Sequence, residues 1–168
     1  QELLLAHKLA SADVGIVAAS HGPGSFTGLR VGIVFAKTFA YAIGCPIVAV
    51  DTLQAVAEAV SGDEFAELNH LHVVSDAQRE QLFVSNFHRQ PGGHWEATAP
   101  IDIIDSEKWR DDAAALASPT FAVIGPGLAK VAEDLTGSVR CLPKEMWTPR
   151  AANVAAIVGA LVGKGCKV

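Results

Sequence analysis

The apolar and polar residues of this chain follow two different spacings. In the first third, short apolar runs at 13–20 and 46–50 predict buried strands, and the longer run at 27–43 predicts a helix. A strand, a helix and a strand in this order favour a parallel strand pair. After the polar segment at 61–64, apolar and polar residues alternate, which predicts antiparallel strands.

The remaining segments complete an α/β pattern. Further helices are expected at 51–60, 106–117 and 127–135, and from Pro149 onward. Strands are expected at 71–76, 80–87, 94–104, 121–125 and 139–142, with a hairpin turn at 89–93. We therefore expect an α/β fold with mixed sheets flanked by helices, divided into two lobes. The N-terminal lobe would comprise 1–60 and the final helix at 149–164, and the C-terminal lobe 61–148.

The composition limits the kinds of partner. The 168 residues are 50% hydrophobic and carry a net charge of −5, whereas a free-standing nucleic-acid binder needs a basic surplus to displace counterions from phosphates. No apolar run looks long and uninterrupted enough to span a membrane, and the first residues lack the features of a signal peptide, so we expect a cytoplasmic protein. The cysteines, Cys45, Cys141 and Cys166, have the spacing of neither a disulfide framework nor a zinc site.

The stretch HGPGSFTGLR, from His21 to Arg30, lies where the first strand meets the helix. It lacks the spacing and the lysine of a P-loop, and Thr27 stands where the dinucleotide fingerprint needs a glycine. Ser25 follows a glycine directly, which does not fit the G-x-S-x-G turn of a hydrolase nucleophile. We interpret the stretch as a strand-to-helix turn, with Ser25 or Thr27 as the helix cap. The residues of this glycine turn are Gly22, Pro23, Gly24, Ser25, Thr27, Gly28 and Arg30.

Small residues recur at every fourth position of the following helix. Gly28, Gly32, Ala36, Ala40 and Gly44 form a smooth stripe along which another backbone can approach closely. Most other residues of the helix are large and apolar, so it must be covered on nearly all sides. The covering elements can be a sheet and a neighbouring helix of the same chain, or another protein, and both alternatives stay open.

Residues that could carry catalysis or bind a metal are few. His70 and His72 share one face of a predicted strand, and His88 and His94 could face each other across the predicted hairpin. Neither pair has a third ligand, so we interpret all four as histidines on strand surfaces. The adjacent carboxylates at 111–112 and 133–134 lie on polar helix faces and do not converge. We expect no catalytic residue, no metal and no cofactor.

Two segments carry a resemblance to a known family. The segment GPGSFTGLRVGIVFAKTFAYAIGCPIVAVDTLQAVAEA, residues 22–59, resembles the TsaB family, also called YeaZ. The segment SDAQREQLFVSNF, residues 75–87, is similar to the family's segment with an Asp-Ala-Arg core, although Gln78 replaces the arginine and Arg79 follows it. The helix from Pro149 is a weaker similarity. The resemblance implies the fold of actin, Hsp70 and sugar kinases (ASKHA), which has two lobes.

The resemblance also implies a scaffold role. TsaB-like proteins pair with the related catalytic protein TsaD, and with the ATPase TsaE, to form threonylcarbamoyladenosine next to the anticodon of tRNA. The chain would then meet tRNA only through the complex. The smooth helix and the first helix, at 2–10, would belong to the helical bundle that joins the two proteins. The implied interface residues are Leu4, Leu5, Gly28, Leu29, Gly32, Ile33, Phe35, Ala36, Phe39 and Ala40.

The comparison with TsaD implies that this chain is catalytically silent. TsaD-like enzymes carry two metal-binding histidines in an N-H-L-E-x-H segment after the same strand, glycine turn and helix. The equivalent segment here is DTLQAV, in which Thr52 and Val56 stand at the histidine positions. Neither side chain supplies the imidazole nitrogen that a transition metal would need.

The chain departs from the family pattern at both ends. It starts in a helix, without the family's first hairpin and its Asp-Thr-Ser, so the first strands of the N-terminal sheet are expected to be missing. The family's Pro-x-Tyr-x-Arg tail does not follow GKGCKV. Two alternatives to the scaffold stay open. One is a small-molecule phosphotransferase of the same fold that binds phosphate at HGPGSFTG, and the other is a self-associating regulatory homodimer that buries the same helix.

Overall fold

The computed structural model describes residues 2–135, 137 and 139–163. Its helices are α1 (Glu2–Ala6), α2 (Phe26–Ile43), α3 (Thr52–Ala57), α4 (Ser106–Ala115), α5 (Leu128–Val131) and α6 (Ala151–Gly163). Its strands are β1 (Val17–Ser20), β2 (Ile47–Val50), β3 (His70–Gln78), β4 (Gln81–Arg89), β5 (Trp95–Ala97), β6 (Asp102–Asp105) and β7 (Phe121–Ile124).

The first sheet is the predicted parallel pair. β1 and β2 pair with Val17 opposite Ile47, and α2 is the connection between them. Both α2 and α6 contact these two strands. Val50 of β2 packs with Ala55 of α3 and with two valines of α6 in a small apolar core.

The second sheet is mixed. Its strands lie in the order β5-β4-β3-β7, and β6 pairs with β4 as well. β3 runs antiparallel to β4 and parallel to β7. One core of the sheet includes Val74 and Leu82 together with Trp109 of α4 and Leu128 of α5. A second core includes residues of β3, β4 and β7 and three residues of α3.

The short helix α3 therefore lies between the two sheets. It begins at the N-cap Asp51, whose carboxylate accepts hydrogen bonds from the backbone N–H groups of Leu53 (2.7 Å) and Gln54 (3.0 Å). Its side chains enter both cores: Leu53 and Val56 face the second sheet, and Ala55 packs with the first. Six residues alone would not form a stable helix in water, so the cap and the two-sided burial hold it in place.

Most predicted elements are confirmed, and four differ clearly. The expected helix at 127–135 is the four-residue α5, followed by a 3-10 turn at Ala132–Asp134. The expected strand at 94–104 is two strands, β5 and β6, because the chain bends before Pro100, which has no N–H to donate to a ladder. The expected strand at 139–142 is only a single bridge between Val123 and Cys141, and Pro143 follows directly. The first helix ends at Ala6 and not at residue 10, since Lys8 adopts a φ of 55°. Residue 164 of the expected final helix lies outside the described residues.

Removing the cap of α3 should weaken the whole fold. We expect Asp51→Ala to lower the free energy of unfolding by about 1–2 kcal/mol, because two N–H groups lose their acceptor. Asp51→Asn is the matched control, since its amide oxygen can still accept these hydrogen bonds. Urea unfolding followed by circular dichroism measures both. Equal stability of the alanine and asparagine variants would contradict this account of α3.

Candidate functional site

The helix α2 begins and ends as its sequence predicts. Ser25 is the N-cap, and its Oγ accepts a hydrogen bond from the backbone N–H of Gly28 at 3.5 Å. The helix ends at Gly44, which adopts a left-handed φ of 74° that favours glycine. With 18 residues the helix is about 27 Å long.

One side of α2 is covered, and the rest is open to solvent. Only Ala36 and Ala40 are buried among its residues. Large apolar side chains point outward, among them Phe26 (78% exposed), Phe35 (69%) and Tyr41 (90%). We call this the exposed face of α2, and it consists of Phe26, Gly28, Val31, Gly32, Val34, Phe35 and Tyr41. An exposed apolar face of this kind typically marks an interaction site.

The smooth stripe divides into two halves. A Cβ added to Gly32 would meet no heavy atom within 4 Å, and one added to Gly28 would meet only Ser25, at 3.7 Å. Ala36 and Ala40, further along the stripe, are buried within this chain. Glycine inside a helix costs about 1 kcal/mol relative to alanine, and nothing among the described residues requires that cost at Gly32.

The other expected interface residues differ in their exposure. Leu29, Ile33 and Phe39 are half-buried on α2. Leu4 is half-buried and Leu5 is 73% exposed on α1, which has no buried residue in its five-residue length. Phe35 and Phe39 stack on each other with ring centroids 6.0 Å apart.

The glycine turn faces the second sheet across a shallow apolar pocket. The pocket has a volume of about 500 Å³, and its walls include Gly22, Phe26, Asp51, Phe83 and Ile103. Ser25 of the turn caps α2 and Asp51 caps α3, whereas the exposed His21 also lines the pocket. Gly22 is buried, and its carbonyl accepts a hydrogen bond from the N–H of Thr52 at 2.8 Å. Pro23 is half-buried, whereas Gly24, Thr27 and Arg30 are exposed.

Thr52 and Val56, which stand where a TsaD-like enzyme is expected to carry its two metal-binding histidines, lie inside the fold. Val56 is fully buried in the core beneath the second sheet, and Thr52 is 8% exposed with no hydrogen-bond partner for its Oγ1. Among the described residues, no group of three or more His, Cys, Asp or Glu side chains could hold a metal ion.

The histidines of the second sheet are paired differently from the prediction. His88 does not face His94, because β4 and β5 pair with His88 opposite Glu96, and His94 lies 3.7 Å from the Glu58 carboxylate. His88 instead lies directly opposite His70 on β3, with ring centroids 4.7 Å apart. The turn between β4 and β5 is shorter than the predicted 89–93, because the N–H of Gln90 donates to the carbonyl of His94 at 2.8 Å and places these two residues opposite each other. The register between β3 and β4 shifts between Asp76 and Gln78, which alternation alone does not reveal.

The length and composition of α2 also satisfy the criteria for a membrane span, and it alone does so in the part of the chain that the structure describes. The sequence led us to expect no such run. Arg30 and Lys37 interrupt the apolar sequence of the helix, and both are exposed. Length and composition alone are weak evidence for a span, because buried helices of soluble proteins and signal sequences near an N-terminus meet the same criteria.

Comparisons with known proteins find relatives whose similarity includes the glycine turn and α2. A family model described as "TsaD: tRNA N6-adenosine threonylcarbamoyltransferase" matches residues 1–108. The "tRNA threonylcarbamoyladenosine biosynthesis protein TsaB" of Bacillus subtilis is 33% identical over 101 residues, which cover 60% of this chain and 42% of that protein. The chain belongs to the TsaB (YeaZ) family within this group.

Other members are more distant. The Escherichia coli protein of the same name is 28% identical over 107 residues, covering 64% of this chain and 46% of that protein. The Haemophilus influenzae protein is 26% identical, covering 91% of this chain and 67% of that protein. The matched segments thus span less than half the length of the Bacillus and Escherichia relatives.

A solved structure confirms the fold class. YeaZ from Pseudomonas aeruginosa superposes with a TM-score of 0.78 at 22% identity, covering 99% of this chain and 75% of that chain. The ASKHA-like α/β fold expected from the family resemblance is therefore correct.

Stability should depend on pH through His72, which is 9% exposed and has an unpartnered Nδ1. Burial lowers the pKa of His72 from 6.5 to about 4, and the Asp112 carboxylate opposes this only partly. The unfolded chain therefore binds a proton more readily between these values, and stability falls as the pH drops from about 6.5 to about 4, by roughly 3 kcal/mol. This loss disappears above about pH 7.5, where the histidine of the unfolded chain is neutral as well.

His72→Leu tests this, because leucine cannot take up the proton. We expect the variant to lose less stability than the parent chain across this pH range, measured by urea unfolding in buffer containing EDTA. Parallel pH profiles for the two proteins would contradict the assignment to His72.

Proposed function

We propose that this chain is a non-catalytic subunit in the formation of threonylcarbamoyladenosine in tRNA, and that it docks on a TsaD-like protein through the exposed face of α2. The observation that carries the proposal is the exposed apolar surface of a well-capped helix. The names of the relatives supply the pathway, since they are described as threonylcarbamoyladenosine biosynthesis proteins.

The chemistry of the exposed face favours a protein partner. Its centre carries aromatic and branched apolar side chains beside Gly28 and Gly32, where another helix could approach the backbone closely. Aromatic residues in the core of an interface commonly supply most of the binding energy. Arg30 and Lys37 lie on the same helix and would belong to the polar rim.

A scaffold role also fits the absence of histidine from the two positions where a TsaD-like enzyme is expected to bind a metal ion. The positions of the two TsaD histidines hold Thr52 and Val56, which are buried and supply no imidazole. The Asp51 carboxylate accepts two backbone hydrogen bonds as a cap. Catalysis and any contact with tRNA would then come from the TsaD-like partner and the TsaE-like ATPase, in a cytoplasmic complex.

Gly32→Arg tests the docking surface. Arginine favours a helix more than glycine does, and a Cβ at this exposed position meets no heavy atom within 4 Å, so the variant should fold at least as stably as the parent. We expect its affinity for the TsaD-like protein of the same source to fall at least tenfold, because the large charged side chain would hold the two helices apart. Size exclusion with light scattering and calorimetry measure the complex.

The matched control is Gly159→Arg on α6. This glycine is also helical and exposed, and an added Cβ there would likewise meet nothing within 4 Å. We expect it to bind as the parent does. Ala36, which sequence analysis would also target, is unsuitable because it is buried and its replacement would disturb the fold.

The results separate the alternative occupants of the face. Unchanged binding by Gly32→Arg would reject this surface, and no complex with the parent chain would reject the partner. A parent chain that sediments as a concentration-dependent dimer, which Gly32→Arg converts to a monomer, would instead assign the face to a second copy.

A further inference from the structure

The second sheet brings together two histidines that have no role in the proposed docking surface on α2. His70 of β3 and His88 of β4 are direct cross-strand partners, and both side chains are exposed. The N–H of Arg89 donates to the carbonyl of Asn69, and the N–H of His70 donates to Thr120 of the neighbouring segment. His70 and His88 are thus a non-hydrogen-bonded pair, the arrangement in which facing side chains lie closest together.

We propose that His70 and His88 bind a divalent first-row transition metal ion, such as Ni²⁺, Cu²⁺ or Zn²⁺, between their imidazole rings. Imidazole is a preferred ligand of these ions. Water would complete the coordination, so that the site is open and the ion exchangeable. The proposal rests on the placement of the two rings and is independent of the docking function of α2.

The separation of the rings suits a shared ion. With metal–nitrogen distances of about 2.1 Å, two imidazoles on one ion at angles of ~90–109° have centroids about 4.5–5.2 Å apart. The centroids of His70 and His88 are 4.7 Å apart, within this range. The paired strands hold the Cβ atoms of the two residues close together, so that only the side-chain torsions must be ordered when the ion binds.

The hydrogen bonding of His88 supplies a free nitrogen. Its Nδ1 lies 3.1 Å from the carbonyl oxygen of Arg89, which can only accept a hydrogen bond, so Nδ1 carries the proton. Nε2 then has the free lone pair that a metal ion requires. A backbone carbonyl bonded to the other ring nitrogen is a common way in which proteins orient a metal-binding histidine.

The rival two-ligand site is the pair of His94 and Glu58. Their atoms lie 3.7 Å apart, and His94 is also exposed. One oxygen of that carboxylate, Oε1, accepts hydrogen bonds from Gln54 and from the N–H of Trp95, which leaves Oε2 beside His94. Nickel, copper and zinc ions prefer imidazole to carboxylate ligands, so we expect this pair to bind them less tightly than two imidazoles, and His94→Asn is the matched control for the variants of the pair.

The experiment titrates the full chain with NiCl₂ at pH 7 by calorimetry. Cys45, Cys141 and Cys166 are replaced by serine in every sample so that thiolates do not compete for the ion. We expect one ion per chain, with affinity lowered at least tenfold by His70→Asn or by His88→Asn and unchanged within about twofold by His94→Asn. Circular dichroism checks that each variant is folded, as substitution at exposed positions should allow.

A second readout does not depend on heats of binding. Saturating Ni²⁺ should raise the melting temperature of the chain, because the ion binds the paired strands of the folded state more tightly than the separated ones. This shift should disappear in both variants of the pair and persist in His94→Asn. Equal affinity in the parent chain and both pair variants, loss of binding only in His94→Asn, or no binding at millimolar Ni²⁺ would each overturn the proposal.

Discussion

Both sheets depend on the burial of α3, the six-residue helix between them. Five of its residues are buried, and four of them belong to two separate apolar cores, which α3 thereby joins. Polar contacts reinforce this position: the Gln54 side chain donates to the carbonyl of Trp95 at 2.6 Å, and Asn153 of α6 donates to the carbonyl of Ala55 at 2.9 Å. A helix this short has little stability of its own, so its position comes from packing and from the Asp51 cap. The relative placement of the glycine turn and the second sheet follows from it.

The burial of α3 places the side chains of Thr52 and Val56 in the interior of the fold. The segment that would carry two metal-binding histidines in a TsaD-like enzyme is here part of the core, with Val56 fully buried. Buried apolar side chains there contribute to stability, roughly 1.5–3 kcal/mol each for residues such as Leu53 and Val56. The exposed apolar surface lies instead on α2, on the other side of the glycine turn.

Much of this could be predicted from the residues. The apolar runs predicted the parallel pair, and Ser25 and Gly44 predicted the ends of α2 because capping is a local interaction. The family segment at 22–59 predicted the fold. The break between β5 and β6 could also have been foreseen from Pro100, which cannot donate to a ladder. The segment at 139–142 was harder to predict. It forms only a single bridge, from Cys141 to Val123 of β7, and the extent of such pairing depends on a strand that is distant in sequence.

The sequence by itself determined the spacing of apolar residues in each segment, the helix caps, the absence of histidine at positions 52 and 56, and the family. Each of these depends only on residues that are close together in the chain. Only the tertiary structure decided which half of the glycine and alanine stripe is open, because Gly32 and Ala36 look alike in sequence and differ only in what the sheet covers. It also decided that His88 lies opposite His70, because strand register depends on a bulge and on hydrogen bonds between residues far apart in the chain. Local patterns specify which faces are apolar, and long-range packing decides which of those faces remain exposed.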